Sequence, residues 1–207
     1  MAITIRKIAC PEPPVGADLM KTGQTTSYRT GDDGNLQKGR NVDFLTLSAN
    51  NPFGNTNRFT DELGGSTYTN DWVIDWSTYN SIAGSVLGWY KIPQLASTAG
   101  WDEAIDNSIA NTFGTFSGCR LGNIMEIYSI IKWTTGLIGN LNYGYNYPPF
   151  NLSADYFYWS STTYHINTSQ AYVVRPLTKG MAIANKTTLS YYYLPCRTFT
   201  VNGTSLT

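Results

Sequence analysis

The sequence predicts an α+β protein with two helices and an antiparallel sheet, preceded by an extended N-terminal arm. Three observations support this prediction. Residues 101–110 carry an apolar stripe at helical spacing, a capping box opens a second helix at Asn123, and short strands with moderate alternation follow residue 156. An order of strands, two helices and further strands differs from the regular βαβ alternation of a parallel sheet.

The chain is predicted to divide into an arm, residues 1–45, and a folded domain, residues 46–207. A short alternating strand at 3–9 precedes a proline-rich break at 11–16, and residues 17–45 are polar and rich in glycine. Such an arm has little core of its own, so we expect it to pack on the domain or on a neighbouring molecule. The rest of the chain is long enough to bury a substantial core.

The two helices have different start and stop signals. The first places one apolar face on Trp101, Ala104, Ile105, Ser108 and Ile109, with acidic residues in its first turn, and is predicted to stop at Gly114. The second is predicted to begin after Asn123, which is a good N-cap, with Glu126 three residues later. It is predicted to end near Trp133.

Strands are predicted on both sides of the helices. The aromatic segments 70–76 and 86–92 come before them, and segments 156–161, 170–175, 181–184 and 192–199 come after. The strand aromatics Tyr156, Tyr158, Trp159 and Tyr172 are predicted to belong to the core. Only the loop tyrosines, with Tyr191 to Tyr193 as a weaker set, are predicted to be exposed.

Composition excludes several classes of function. Only 14% of the residues are charged, against about 25% in ordinary soluble proteins, while 14% are aromatic and the formal net charge is zero. Nucleic-acid binding needs a basic footprint that this chain lacks, so we expect no nucleic-acid partner. The apolar stretches are too short to span a bilayer, and residues 1–10 lack the apolar core of a secretion signal, so we expect no membrane insertion.

The chain offers few residues for catalysis or metal binding. His165 is its only histidine, and three scattered cysteines do not complete a zinc site with it, so we expect no enzyme. Cys119 and Cys196 are predicted to be buried free thiols, with a disulfide between them as the alternative. No cofactor is expected. The acidic segment 31–35 is predicted to be a turn, with calcium as the alternative, because it lacks the ligand spacing of an EF-hand.

Several motifs resemble one known family. Residues 118–128 (GCRLGNIMEIY) are similar to the helix start of the Lcl C-terminal domain family, 158–162 (YWSST) and 171–174 (AYVV) to two of its strands, and Cys196-Arg197 to its end. The resemblance implies a C-type-lectin-like fold, related to the formylglycine-generating enzyme. Domains of this family occur in bacterial adhesins and phage virion proteins. Gly122 and Cys119 stand where the family usually has Pro and Trp, and residues 101–115 lack the family's other cysteine.

The C-terminal third has the composition of a binding surface. Ten of the 15 tyrosines lie between Tyr143 and Tyr193, among Asn, Ser, Thr and Gly. Tyrosine gives a broad contact at low entropic cost, and small polar residues adapt to a ligand, as in an antibody paratope. The predicted ligand-binding residues lie in the loops 142–149 and 164–169 and in the turn 190–193: Asn142, Tyr143, Tyr145, Asn146, Tyr147, Tyr164, His165, Asn167 and Tyr191.

These observations lead to three hypotheses about function. The first is a phage virion protein, on the head or tail, that binds a host-surface glycan or protein through these loops. The second is a structural virion component whose arm docks on neighbouring virion proteins, and the third is a secreted bacterial adhesin domain on the cell surface. By analogy with virion fibres and with the resembling family, we expect a homotrimer.

Overall fold

The computed structural model describes residue 30 and residues 46–47, 49–97, 99–131, 150, 156–176 and 180–207. The predicted arm, the acidic segment 31–35 and the loop 142–149 lie outside these residues, apart from Thr30. The described chain is mostly β-sheet with two helices, and this confirms the coarse α+β prediction. No helix in this part of the chain is long and apolar enough to cross a bilayer.

Eleven strands of the described chain form two sheets. They are β1 (Phe59–Asp61), β2 (Trp72–Asn80), β3 (Ser85–Tyr90), β4 (Gln94–Ala96), β5 (Arg120–Leu121), β6 (Tyr158–Thr163), β7 (Gln170–Arg175), β8 (Gly180–Asn185), β9 (Tyr191–Tyr193), β10 (Pro195–Asn202) and β11 (Ser205–Leu206). The larger sheet has the order β1-β2-β3-β10-β11, and β5 also pairs with β10. The smaller sheet has the order β4-β9-β6-β7-β8.

The smaller sheet departs from the predicted antiparallel pattern at one place. Its β6–β7, β7–β8 and β4–β9 pairs are antiparallel, but β6 and β9 pair in parallel at Tyr158 and Tyr192. The parallel contact arises because the chain leaves β8 and crosses to the far side of β6 before it forms β9. The sheet is therefore mixed.

The prediction of one continuous strand over residues 192–199 was wrong. The structure divides it into β9, in the smaller sheet, and β10, in the larger sheet, so that this segment joins the two sheets. Four consecutive residues at the junction, Tyr193 to Cys196, are all buried. Such a run gives no alternation of apolar and polar residues. The sequence signal for the break is Pro195, because proline in a sheet is favoured at the first residue of a strand, and it begins β10.

The first helix, α1 (Trp101–Ala110), begins where the apolar stripe begins but ends before Gly114. Asn111 is already extended, although its backbone N–H still donates to Asn107 O. Gly114 instead occupies a tight reversal, with φ +59°, between Phe113 and Phe116, which exchange two backbone hydrogen bonds. The positive φ that glycine favours is thus used in a turn beyond the helix.

The second helix, α2 (Ile124–Ser129), has the predicted capping box. Asn123 Oδ1 accepts from Glu126 N at 3.0 Å, and a Glu126 carboxylate oxygen accepts from Asn123 N at 2.8 Å. The helix ends at Ser129 rather than near Trp133, because Ile130 and Ile131 tighten into turns that bond to residues three positions back. The start of the helix was correctly predicted and its end was wrong.

Each face of the smaller sheet packs against one helix. Tyr158 and Val174 share a core cluster with Ile124 and Ile127 of α2. Trp159, Ala171 and Val173 share another with Ala104 of α1. Because successive strand residues point to opposite faces, the two faces of β6 and β7 are well defined by these contacts.

The core predictions for aromatic residues hold only in part. Tyr158 and Trp159 are buried as predicted, and Tyr172 is half-buried. Tyr156 was predicted to be core but is 45% exposed; it precedes β6, and its ring stacks on Tyr192. Tyr193, placed in the weaker set of exposed residues, is buried against α1 and its neighbours instead.

A buried ion pair links β2 to the segment before β1 and to α2. The Arg58 guanidinium donates from Nε to Asp75 Oδ1 at 2.8 Å and from Nη2 to Oδ2 at 2.6 Å, and Nη2 also reaches Ser129 O at 3.1 Å. Both side chains are almost fully buried. The bidentate geometry and the added hydrogen bonds are what a buried charge pair requires.

Candidate binding surface

The β6–β7 hairpin ends in a well-defined turn that contains three of the predicted binding residues. Tyr164 N donates to Gln170 O at 2.9 Å, and Gln170 N donates to Asn167 O at 3.0 Å. Within the turn, Asn167 Oδ1 accepts from Ser169 N at 3.1 Å and from Ser169 Oγ at 2.8 Å. Such side-chain bonds are a common reason for Asn in turns, so part of the role of Asn167 is to shape the loop.

The structure brings Tyr164 and His165 together at this turn. The Tyr164 ring is half-buried and lies edge-on to Tyr172 at 5.5 Å and to His165 at 5.2 Å. His165 and Asn167 are exposed, as is Ile166, at 72%. Tyr164 is thus held by its neighbours, while the residues after it face solvent.

Two amide side chains, which the sequence analysis missed, lie beside these residues. Gln170 and Asn185 are opposite each other on β7 and β8, and Gln170 Nε2 donates to Asn185 Oδ1 at 3.1 Å. Gln170 Oε1 and Asn185 Nδ2 make no hydrogen bond within the described residues. One acceptor and one donor therefore remain next to each other, an arrangement that suits two neighbouring hydroxyl groups.

The five residues Tyr164, His165, Asn167, Gln170 and Asn185 are called here the hairpin-tip surface. Gln170, Tyr172 and Asn185 alternate with residues whose side chains pack on α1, so they belong to the opposite face of the sheet. No periodic pattern in the sequence links positions 164–170 to position 185. Only the β7–β8 register, in which Gln170 opposes Asn185, brings them together.

The hairpin-tip surface is braced from the other face of the sheet. Lys186 Nζ lies 3.7 Å from the centroid of the Trp101 ring and donates to Thr163 Oγ1 at 2.9 Å. Backbone bonds continue this brace: Lys186 N donates to Ser169 O, and Trp101 N donates to Lys186 O, both at 2.9 Å. The turn is thereby attached to the start of α1.

Gly100 makes this close approach of α1 to β8 feasible. Its φ is +60°, and a Cβ built at this position would lie 2.4 Å from Lys186 O and 2.7 Å from Thr188 O. A side chain would therefore collide with backbone atoms in a conformation that L-residues rarely adopt. The glycine lets helix and sheet meet behind the hairpin-tip surface.

Tyr191, although predicted to bind ligand, is not part of this surface. Its ring stacks on Phe157 at 5.0 Å and lies 5.2 Å from Trp159, on the face that packs against α1. It flanks the start of β6, whereas Tyr164 follows the end of that strand, roughly 20 Å away for six strand residues. The structure therefore does not bring Tyr191 together with the 164–169 loop, because alternation along β9 directs its ring to the opposite face. The role of Tyr191 in binding stays a prediction from the sequence.

The other predicted ligand-binding residues, Asn142, Tyr143, Tyr145, Asn146 and Tyr147, lie outside the described residues. Their role in binding stays a prediction from the sequence. Support for a binding surface therefore comes from the β6–β7 hairpin and not from the loop 142–149.

The thiols are poorly suited to nucleophilic chemistry. Cys119 and Cys196 are free and buried, in agreement with the favoured prediction. Burial raises the pKa of both, and raises the pKa of Cys196 to about 12. The thiolate is the reactive form, and a pKa this high keeps the Cys196 thiol protonated at neutral pH. In the part of the chain that the structure describes, no group of three or more His, Cys, Asp or Glu side chains could hold a metal ion.

A shallow groove of about 310 Å³ lies on the larger sheet. Arg120 and Glu126 line it with residues of β2, β3 and β10: Thr78, Asn80, Ser85, Val86, Leu87 and Thr198. Both terminal nitrogens of Arg120 donate to the Glu126 carboxylate, at 2.8 and 2.7 Å. The two charges in the groove thus satisfy each other, and the Glu126 carboxylate also caps α2.

Comparison with protein-family models and with curated proteins found no match to this chain. The resemblance to the Lcl C-terminal domain family therefore remains a prediction based on the quoted motifs.

Proposed function

We propose that this chain is a non-enzymatic binding module with a C-type-lectin-like fold, displayed on a phage virion, which binds a host-surface glycan through the hairpin-tip surface. The observation that carries the proposal is the grouping of Tyr164 and His165 with the amides of Gln170 and Asn185 on one braced turn. Aromatic rings pack on the apolar faces of sugars, and paired amides bind neighbouring hydroxyls.

The hairpin-tip surface suits an uncharged ligand. None of its five residues is a permanently charged type, and the nearby Lys186 ammonium lies over the Trp101 ring on the opposite face. A strongly anionic polymer would find no lysine or arginine among these five side chains. A neutral hexose or N-acetylhexosamine, with hydroxyls and one apolar face, matches them better.

Rigidity also supports a binding role. Backbone bonds to Ser169 and Gln170 hold the turn, and the Tyr164 ring rests on Tyr172. A surface that is already in its bound shape loses little conformational entropy when it binds. The proposal therefore requires no closing loop.

A glycan array and an adsorption assay on host cells test the proposal. The full chain is expected to bind neutral glycans, and the Tyr164→Ala/His165→Ala variant is expected to bind at least about tenfold more weakly, a loss of roughly 1.4 kcal/mol. Tyr79→Ala is the control, because it removes an exposed tyrosine that lies edge-on to Trp76 on the larger sheet, away from the hairpin-tip surface. Absence of binding to every glycan and cell surface would favour the alternative of a structural virion component.

A further inference from the structure

The edge strand β8 differs from the other edge strands of the described chain. β1 and β4 have three residues each, and β11 has two, whereas β8 has six, with the sequence GMAIAN. It contains no charged residue and no proline. Proteins usually shorten, charge or interrupt an exposed edge strand, because its free backbone groups can pair with another chain.

The register shows which backbone groups of β8 face outward. Lys186 N donates to Ser169 O, and this pair continues the register in which Asn185 opposes Gln170. Bonded pairs alternate with non-bonded pairs in an antiparallel ladder, so Ala184 and Ala182 also bond to β7. The N–H and C=O groups of Met181, Ile183 and Asn185 therefore point away from β7. Among the described residues, no strand pairs with that edge.

The side chains of the same residues are exposed on one face. Met181 is 49% exposed and Ile183 is 43% exposed, while Ala182 and Ala184 on the other face pack against the cluster beneath α1. One strand thus offers outward hydrogen-bonding groups and an uncovered apolar surface together.

We propose that β8 pairs in an antiparallel manner with β8 of a second copy of this chain, so that two five-stranded sheets become one continuous sheet. A two-fold axis at Ile183 places Ile183 opposite its own copy and Met181 opposite Asn185. This register keeps each side chain on its own face. It makes about four backbone hydrogen bonds, two between the Ile183 residues and one from each Asn185 N–H to Met181 O, because Asn185 O already accepts from Thr188 N at 2.8 Å. It also joins the exposed apolar side chains of the two copies.

Several features favour a second copy as the partner. A β8–β8 contact would be isologous, which is the usual form of a homodimer contact. The strand has no charge that would repel its own copy at close range, and the formal net charge of the chain is zero. The hairpin-tip surfaces of the two copies would lie on the same composite sheet, because Asn185 ends the paired strand.

Mass measurement by light scattering after gel filtration, on the full chain, tests this interface. The expected mass is twice the chain mass of 22.9 kDa. Ile183→Lys is expected to halve it, because two lysines would face each other at the axis. Ile82→Lys is the matched control: Ile82 is 99% exposed in the turn between β2 and β3, and this variant is expected to remain a dimer. A monomeric or trimeric wild-type chain would overturn the proposal, as would a dimeric Ile183→Lys variant.

Amide hydrogen exchange provides a second measurement that does not depend on a variant. In the wild-type dimer, the outward amides of Met181, Ile183 and Asn185 are expected to exchange as slowly as the inward amides of Ala182 and Ala184. Fast exchange of the outward set in a dimer would place the interface elsewhere and refute the proposal. Slow exchange in a monomer would also refute it, because a segment of the same chain would then cover the edge.

Discussion

Removal of one partner of the buried Arg58–Asp75 pair should strongly destabilise the protein. Arg58→Met keeps much of the side-chain volume but leaves the Asp75 carboxylate in the interior, where its remaining described partners are the backbone N–H and hydroxyl of Ser77. Breaking a buried ion pair in this way costs about 3–5 kcal/mol. For a chain of this length, that loss lowers Tm by roughly 6–20 °C.

Urea unfolding followed by tryptophan fluorescence measures this loss. The double variant Arg58→Met/Asp75→Leu is the control, because it removes both charges and is expected to recover most of the stability. The bidentate bonds and the near-complete burial of both side chains are the basis for the estimate. A loss below about 1 kcal/mol for Arg58→Met alone is typical of an exposed pair and would refute the reasoning.

Three further predictions concern the helix cap and the brace. Asn123→Ala should lower the free energy of unfolding by about 1 kcal/mol in urea titrations, since α2 loses its capping bond; an unchanged midpoint would contradict the role of the cap. Lys186→Met should lower the free energy of unfolding by roughly 1–2 kcal/mol, because the contact between its ammonium and the Trp101 ring is lost. Thermal unfolding of Lys186→Met, Trp101→Leu and the double variant forms a double-mutant cycle that isolates the energy of this pair. Burial tends to raise the pKa of Glu126, but the hydrogen bonds from Arg120 and from Asn123 N, with the charge of Arg120, outweigh it and hold the pKa below its usual value. Stability from this group should therefore be present above the unfolded-state pKa, near 4.3, and be lost as the pH falls through the lower folded pKa, a dependence that Arg120→Met should weaken.

Local signals in the sequence predicted the elements whose cause is local. The capping box at Asn123 and the strand 170–175 are confirmed, because a cap and an alternating strand depend on residues close together in the chain. The start of α1 at Trp101 is confirmed for the same reason. The predicted end of α1 at Gly114 was wrong, because the positive φ that glycine adopts suits either a helix stop or a turn.

Features that depend on tertiary contacts could not be predicted from the sequence. The pairing of Gln170 with Asn185, the placement of Lys186 over Trp101 and the division between β9 and β10 all follow from sheet register and from which face meets a helix. The same cause explains why Tyr191 and Tyr164, both tyrosines near polar turns, lie on different surfaces. Composition indicated the candidate region, and the geometry shows which of its described residues lie together.

The resemblance to a C-type-lectin-like fold and the expected trimer both stay predictions. A β8–β8 contact closes about a two-fold axis, so it yields a dimer and not the threefold assembly expected by analogy. The measured mass of the full chain will distinguish the two.

The central claim, that the hairpin-tip surface is the binding site, is tested most directly by amide hydrogen exchange with a bound glycan. The probe is the oligosaccharide that gives the strongest signal on the array, added in excess to the full chain. The account predicts slower exchange in residues 164–170, with no change on the larger sheet. Protection confined to another surface, while binding is measured in the same sample, would contradict it.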